Sequence, residues 1–311
     1  RRQRQMCIRD RGNGHFATRG AAEEVSSDSV HYPGTYLAGG YNRLRSEING
    51  LDLEHEDLVN LPNWLPLTFR PDHGEWLHPN THTILDWNRE LDLLNGRLTR
   101  TILVRDSMGR ETQLVFRRFV SLVETRVAGI EMTINPQNWA GRISVRSALD
   151  GRVTNTGVQR YKNLAAIHLS RTETDKHSPE TISLVTQTNQ SNITIAFAAR
   201  TRVFNNPVTF GGPRHTVREA AYIADHIEMD VAPNQGARVE KIVALIRSCK
   251  EAHQNCQAAS VSLIEEAPNF RTLAVHHASA WNKLWNIGAI QQSGHKPVSY
   301  THLTLPTSDL V

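Results

Sequence analysis

Cysteine is scarce in this chain. Its 311 residues hold three, Cys7, Cys249 and Cys256, so a disulfide framework does not organise the fold. If the segment around Cys249 and Cys256 is helical, their spacing puts them ~10.5 Å apart on one face, beyond disulfide reach. No apolar run approaches the ~20 residues of a membrane span, which argues against a membrane partner. Also missing are a P-loop, a G-x-S-x-G elbow and a dinucleotide fingerprint: "GNGHFATRG" has the glycines but neither the preceding strand nor the following helix. In "LHPNTHT", His78 and His82 have no third ligand nearby, so no metal is expected. Charge of one sign is lacking too. The basic surplus is four, 35 Lys and Arg against 31 Asp and Glu, and most of it comes from the two ends.

Those ends are related in a way that protein chemistry does not explain. "RRQRQMCIRD" can be written CGT CGG CAG CGT CAG ATG TGT ATA AGA GAC, whose reverse complement translates as "VSYTHLTLPT", residues 298 to 307. Two inverted copies of one synthetic DNA sequence produce such a pair, so residues 1–11 and 298–311 are read as translated sequencing adapter and set aside. They carry Arg1, Arg2, Arg4, Arg9 and Arg11 against Asp10 and Asp309. Without them the surplus is near one, and the remaining arginines are interspersed with carboxylates, which excludes the clustered charge a nucleic-acid partner needs.

What is present is mostly strand. "TILVRDSMGRETQLVFRRF" reads as a hairpin, with the turn at Asp106 to Gly109. "VAGIEMTI", "RISVRSAL", "TISLVTQT" and "ITIAFAAR" are further strands. Many strands without intervening helices predict a mainly β protein, a large antiparallel sandwich. After "MDVAPNQGARV" the period changes: Val239, Ile242, Val243, Ile246 and Cys249 recur at helical spacing, which predicts a helix over 238–253. A second helix is predicted over 269–287, with Phe270, Leu273, His277, Trp281, Leu284 and Trp285 along one side. The domains are thus a β-sandwich over 12–235 and a helical linker over 236–297. The aromatic stripe is too apolar for water and must pack on the sandwich or on a further domain.

Seven stretches together resemble the N-terminal domain of glycoside hydrolase family 65: "GNGHFATRGAAEE", "HYPGTYLAGGYNRL", "EDLVNLPNWLPL", "RELDLLNGRLTR", "RRFVSLVETRVAGI", "NPQNWAGRISVRSALDGRVTNTGVQRY" and "HHASAWNKLW". The departures are His15-Phe16, where a Tyr-Leu pair is usual, and Gly40, where a larger residue is common. The resemblance implies a galactose-mutarotase-like super-sandwich joined by linker helices to an (α/α)6 barrel that holds the catalytic acid and the phosphate-binding residues. It implies an inverting α-glucoside phosphorylase, with a trehalase-type hydrolase as the alternative. The substrate would be a disaccharide such as trehalose or maltose, with inorganic phosphate as co-substrate and no cofactor. Phe270, Trp281 and Trp285 would then meet the barrel, and replacing the two tryptophans by Gln would improve solubility. A homodimer and a cytoplasmic location fit the same reading.

Inverting cleavage needs a carboxylic acid beside the scissile bond. The carboxylates available, Glu23-Glu24, Glu56-Asp57 and Glu90 with Asp92, read as solvated or structurally paired, so no catalytic residue is assigned here. A non-catalytic sandwich that binds carbohydrate or another subunit is the competing class. Tyr36, Asn60, Asn63 and Trp64 are its candidate sugar contacts, with Trp139 and Asn138 beside them. Against this stands the plainer reading that Trp64 and Trp139 anchor the core while the asparagines hold turns.

Overall fold

The computed structural model describes residues 11–27, 31–156, 164–205, 208–233, 235–248 and 253–288. The terminal stretches set aside as adapter lie outside the described residues, as do Cys7 and Cys249, with one exception. Arg11 opens the first strand and pairs with Thr18.

In chain order the strands are β1 (Arg11–Gly12), β2 (Phe16–Thr18), β3 (Thr35–Leu37), β4 (Tyr41–Ile48), β5 (Leu51–Leu58), β6 (Leu67–Pro71), β7 (Thr83–Asp92), β8 (Arg97–Arg105) and β9 (Glu111–Val120). Then come β10 (Val127–Pro136), β11 (Gly141–Asp150), β12 (Leu169–Lys176), β13 (Thr181–Thr188), β14 (Thr194–Asn205), β15 (Val208–Phe210), β16 (Arg214–Glu219), β17 (Tyr222–Val231) and β18 (Ala237–Ser248). The helices are α1 (His253–Glu266) and α2 (Phe270–Gly288).

A nine-stranded antiparallel sheet runs β12-β13-β14-β18-β10-β9-β8-β7, with β15 on β14, and a four-stranded sheet runs β16-β17-β11-β6. Their inner faces share one core: Ile102, Leu114, Phe116, Ile130, Met132 and Phe197 from the large sheet meet Leu67, Phe69, Ile143, Val145 and Ile227 from the small one. The sandwich follows from two-residue alternation. In β8, Leu98, Ile102 and Val104 are buried while the intervening Thr99, Thr101 and Leu103 are only partly so. The expected hairpin turn is present as well. Asp106 Oδ1 accepts from the amides of Met108 (2.9 Å) and Arg110 (3.0 Å), and Gly109 supplies the positive φ of 78°.

The helix expected over 238–253 is not formed. Ala237–Ser248 is strand β18, in the middle of the large sheet between β14 and β10, so the β domain runs beyond 235. Ala237, Val239, Val243 and Leu245 face the sandwich core, whereas Ile242 and Ala244 face Ile264, Phe270 and Leu273 of the helices. A strand covered on both faces is apolar at nearly every position, and an unbroken run contains the helical spacing by default. The first helix, α1, begins later, at His253, and buries Cys256 against Val185 and Ala196. The second was placed to within a residue. Asn269 caps it, its Oδ1 accepting from the Thr272 amide at 2.9 Å.

Candidate functional site

Three of the four expected sugar-contact residues are inside the protein. Trp64 has no exposed surface, and its indole N–H has no acceptor among the described residues; the ring fills core volume. Asn63 is 5% exposed, and its Oδ1 accepts from the Leu65 amide at 3.1 Å. Asn60, 2% exposed, accepts from the Thr35 amide at 3.1 Å and donates to the carbonyls of Pro33 and Thr154. Tyr36 is half-buried in β3, with the guanidinium of Arg19 5.5 Å from its ring centre. A pyranose cannot stack on a ring the core encloses, so Trp64 serves the core, while Asn60 and Asn63 hold the backbone around it. Trp139 and Asn138 do likewise: the indole donates to Glu111 O at 3.1 Å, and Asn138 Oδ1 accepts from the Glu111 amide at 2.8 Å.

Five of the six candidate carboxylates also have structural partners. Glu23 and Glu24 are buried against Arg100 and Arg118. Glu56 meets Arg43 at 3.1 Å, Asp57 lies 3.3 Å from His55 and 3.4 Å from His168, and Asp92 accepts from Asn95 at 2.8 Å. His78 Nδ1 accepts from the Asn80 amide, and His82 Nδ1 lies 2.9 Å from Thr81 Oγ1.

The principal concavity is elsewhere. A cleft of about 1370 Å³ lies between the outer face of the large sheet and α2. Its floor includes Arg117, Glu131 and Glu240, which stand in direct cross-strand register on β9, β10 and β18. Two carboxylates thus stand opposite each other, which alone would be unfavourable. Arginines resolve the conflict: Arg117 donates to Glu131 Oε1 at 2.9 Å, and Arg238 bridges Glu131 Oε2 (3.3 Å) and Glu240 Oε1. Glu240 Oε2 accepts from the Phe270 amide at 3.2 Å, placing negative charge at the N-terminus of α2. Each of the four carboxylate oxygens therefore has a donor. This floor ties the helix to the sheet.

The aromatic stripe of α2 faces the sandwich, which corrects the expectation that Phe270, Trp281 and Trp285 await another domain. Phe270 is 3% exposed and packs on Phe119, centroids 5.2 Å apart, over Gly129, where a Cβ would come within 3.0 Å of the ring. His277 stacks on Phe119 at 4.7 Å. The Leu122 amide donates to its Nδ1 at 3.1 Å, and its Nε2 lies 3.1 Å from the Trp281 indole N–H and 3.3 Å from Gly96 O. Burial pushes this imidazole down to about 4, so it is neutral at pH 7. Trp281 lies over Gly96, where a Cβ would come within 1.9 Å of the indole Nε1 and φ is +61°. Trp285 Nε1 donates to Leu93 O at 3.1 Å. The double variant Trp281→Gln/Trp285→Gln is accordingly expected to lose roughly 2 kcal/mol and to free the C-terminal half of α2, read as faster amide exchange over 278–288. Unchanged exchange would contradict this packing.

The chain matches the family described as glycosyl hydrolase family 65, N-terminal domain, over residues 8–284. It belongs to that family. The match extends into the N-terminal stretch set aside as adapter. An uncharacterized glycosyl hydrolase of Mycobacterium tuberculosis (strain H37Rv) is 35% identical over 284 residues, covering 91% of this chain and 21% of its own length. The kojibiose phosphorylase of Halothermothrix orenii is 27% identical, with 88% and 34% covered. The trehalose 6-phosphate phosphorylase of Lactococcus lactis is 26% identical, with 91% and 34% covered. Among solved structures, a putative kojibiose phosphorylase from the human microbiome superposes with a TM-score of 0.77 at 18% identity, over 89% of this chain and 35% of that one. The family 65 chain thus spans about a fifth to a third of the length of these relatives.

Proposed function

We propose that this chain is the N-terminal, non-catalytic part of an inverting α-glucoside phosphorylase of carbohydrate metabolism. The observation that carries the reading is the match to the family 65 N-terminal domain across residues 8–284, with relatives named as kojibiose and trehalose 6-phosphate phosphorylases. The whole protein would take an α-linked glucose disaccharide and inorganic phosphate and release β-glucose 1-phosphate, with no cofactor. Phosphate is already an anionic nucleophile, so such an enzyme omits the base that a hydrolase needs to activate water. The sandwich would support a barrel over the cleft beside α2, where Val275 (61% exposed) is uncovered. Among the described residues no helix is long and apolar enough to cross a membrane.

A hydrolase reading is favoured by one observation: the 35% identical mycobacterial relative is named a glycosyl hydrolase. The test supplies kojibiose, trehalose, trehalose 6-phosphate, maltose and nigerose, with and without phosphate, to this chain and to the whole protein. The whole protein is expected to release sugar phosphate only when phosphate is present, and this chain to release nothing. Activity of the chain alone would place the catalytic acid, worth roughly 10²–10⁴-fold, inside it and overturn the proposal. Free glucose from the whole protein without phosphate would select the hydrolase.

A further inference from the structure

The outer face of the small sheet carries an unusual set of residues. Arg146 (β11), His226 (β17) and His215 (β16) lie in direct cross-strand register. Arg70 of β6 stands opposite Ser144, one step along the same face. The Trp76 ring lies beside them, its centre 4.8 Å from the Arg70 guanidinium carbon, 4.3 Å from that of Arg146 and 5.2 Å from the His226 ring.

These two arginines differ from most others in the protein. Arg43, Arg100, Arg105, Arg110, Arg117, Arg126 and Arg152 each meet a carboxylate within 4 Å, and Arg200 donates to four carbonyls. Among the described residues Arg70 and Arg146 have neither kind of partner, and Arg146 Nε is buried without an acceptor. The carboxylates nearby do not neutralise them. Asp150 and Glu219 are both taken by Arg152, at 2.9 and 2.7 Å, and Glu23 and Glu24, beside Arg146 in a small cavity, are closed off by Arg100 and Arg118. Glu228 lies across Ser144 from Arg70. Stacking on one indole fixes the two guanidinium planes and holds their N–H edges ready at little entropic cost, the arrangement suited to bidentate recognition of an oxyanion.

The geometry points to a phosphate-binding site formed by Arg70 and Arg146 on the Trp76 platform, with His215 and His226 at its margin. Its ligand is a phosphoryl group, either inorganic phosphate or the phosphate of a hexose phosphate. The site goes beyond the proposed phosphorolysis and stands or falls independently of it.

The test follows the Trp76 indole N–H resonance of the ¹⁵N-labelled 311-residue chain, assigned with Trp76→Phe. Inorganic phosphate and glucose 1-phosphate are titrated separately, with sodium chloride holding ionic strength constant. A saturable shift is expected, weakened roughly tenfold or more in Arg70→Gln and in Arg146→Gln. Arg70 is exposed, so Arg70→Gln will fold, and Arg70→Lys, which keeps the charge without the fork, should fall between it and the parent. Equal affinity for the two ligands assigns recognition to the phosphoryl group alone, and tighter binding of glucose 1-phosphate assigns part of it to the sugar. A response that chloride alone reproduces, or one untouched by Arg70→Gln, overturns the proposal.

Discussion

Arg100→Ala is expected to destabilise the protein by about 3–5 kcal/mol, more than any other single truncation considered. Arg100 is 6% exposed and lies on the inward face of β8, where it meets Glu23 and both oxygens of Glu24. Arg118, 2% exposed, adds a contact to Glu23 at 3.0 Å and donates to Ala21 O at 2.8 Å. Burial alone would raise the Glu24 carboxyl, but the charge and hydrogen bonds of Arg100 outweigh it and hold the group below the usual carboxylate range. Without Arg100, two carboxylates remain buried with one arginine between them. The cost comes from that stranded charge and not from the lost attraction, which desolvation largely offsets. Arg100→Met combined with Glu24→Gln, which leaves Glu23 paired with Arg118, should therefore recover much of the loss. Urea unfolding of the three proteins checks this. A penalty under about 1 kcal/mol for Arg100→Ala, the range of an exposed ion pair, would contradict the buried cluster.

This cluster shows what the sequence does and does not disclose. Arg100 occupies the phase of Leu98, Ile102 and Val104, and Arg118 that of Leu114 and Phe116. A charge in the apolar phase of a strand signals a buried ion pair, but its partners Glu23 and Glu24 lie 77 and 76 residues away, and no spacing matches them to it. The strands of the β8–β9 hairpin and the bounds of α2 were legible because one face of each meets water. β18 was misread because neither of its faces does. The seating of the α2 stripe was not legible at all, since it depends on Gly96 in a turn distant in sequence. Nor was the face joining Arg70, Arg146 and Trp76, which only the pairing of β6, β11 and β17 brings together. Trp64, Asn60 and Asn63 show the converse: aromatic and amide residues that would suit a sugar serve the core equally well, and composition does not separate the two.

Lys241 is the same signal in β18, in phase with Val239, Val243 and Leu245, and it leads to the other large effect. The side chain has no exposed surface and crosses the sandwich core, where Nζ donates to Ala148 O at 2.6 Å and Pro66 O at 3.0 Å. An uncharged amine has two hydrogens to give and finds two carbonyls, whereas an ammonium would bury a third donor and a net charge without a counter-ion. Burial therefore pushes the Lys241 amine well below its ordinary value. The unfolded chain binds a proton that the folded protein does not, up to the ordinary lysine value near 10.4. With the folded value depressed, stability rises with pH across that window, is complete above the unfolded value and is lost as pH falls. The slope is at most that of one proton, about 1.4 kcal/mol per pH unit. Lys241→Met fills the same volume without a titrating group and should abolish this slope, while its neutral-pH stability reflects a smaller balance between a removed amine and an Ala148 carbonyl left without its donor, each on the order of 1–3 kcal/mol. Urea midpoints at pH 8, 9 and 10 for the two proteins decide the matter. Parallel pH profiles would mean that Lys241 keeps its proton on folding and that the core holds a charged ammonium.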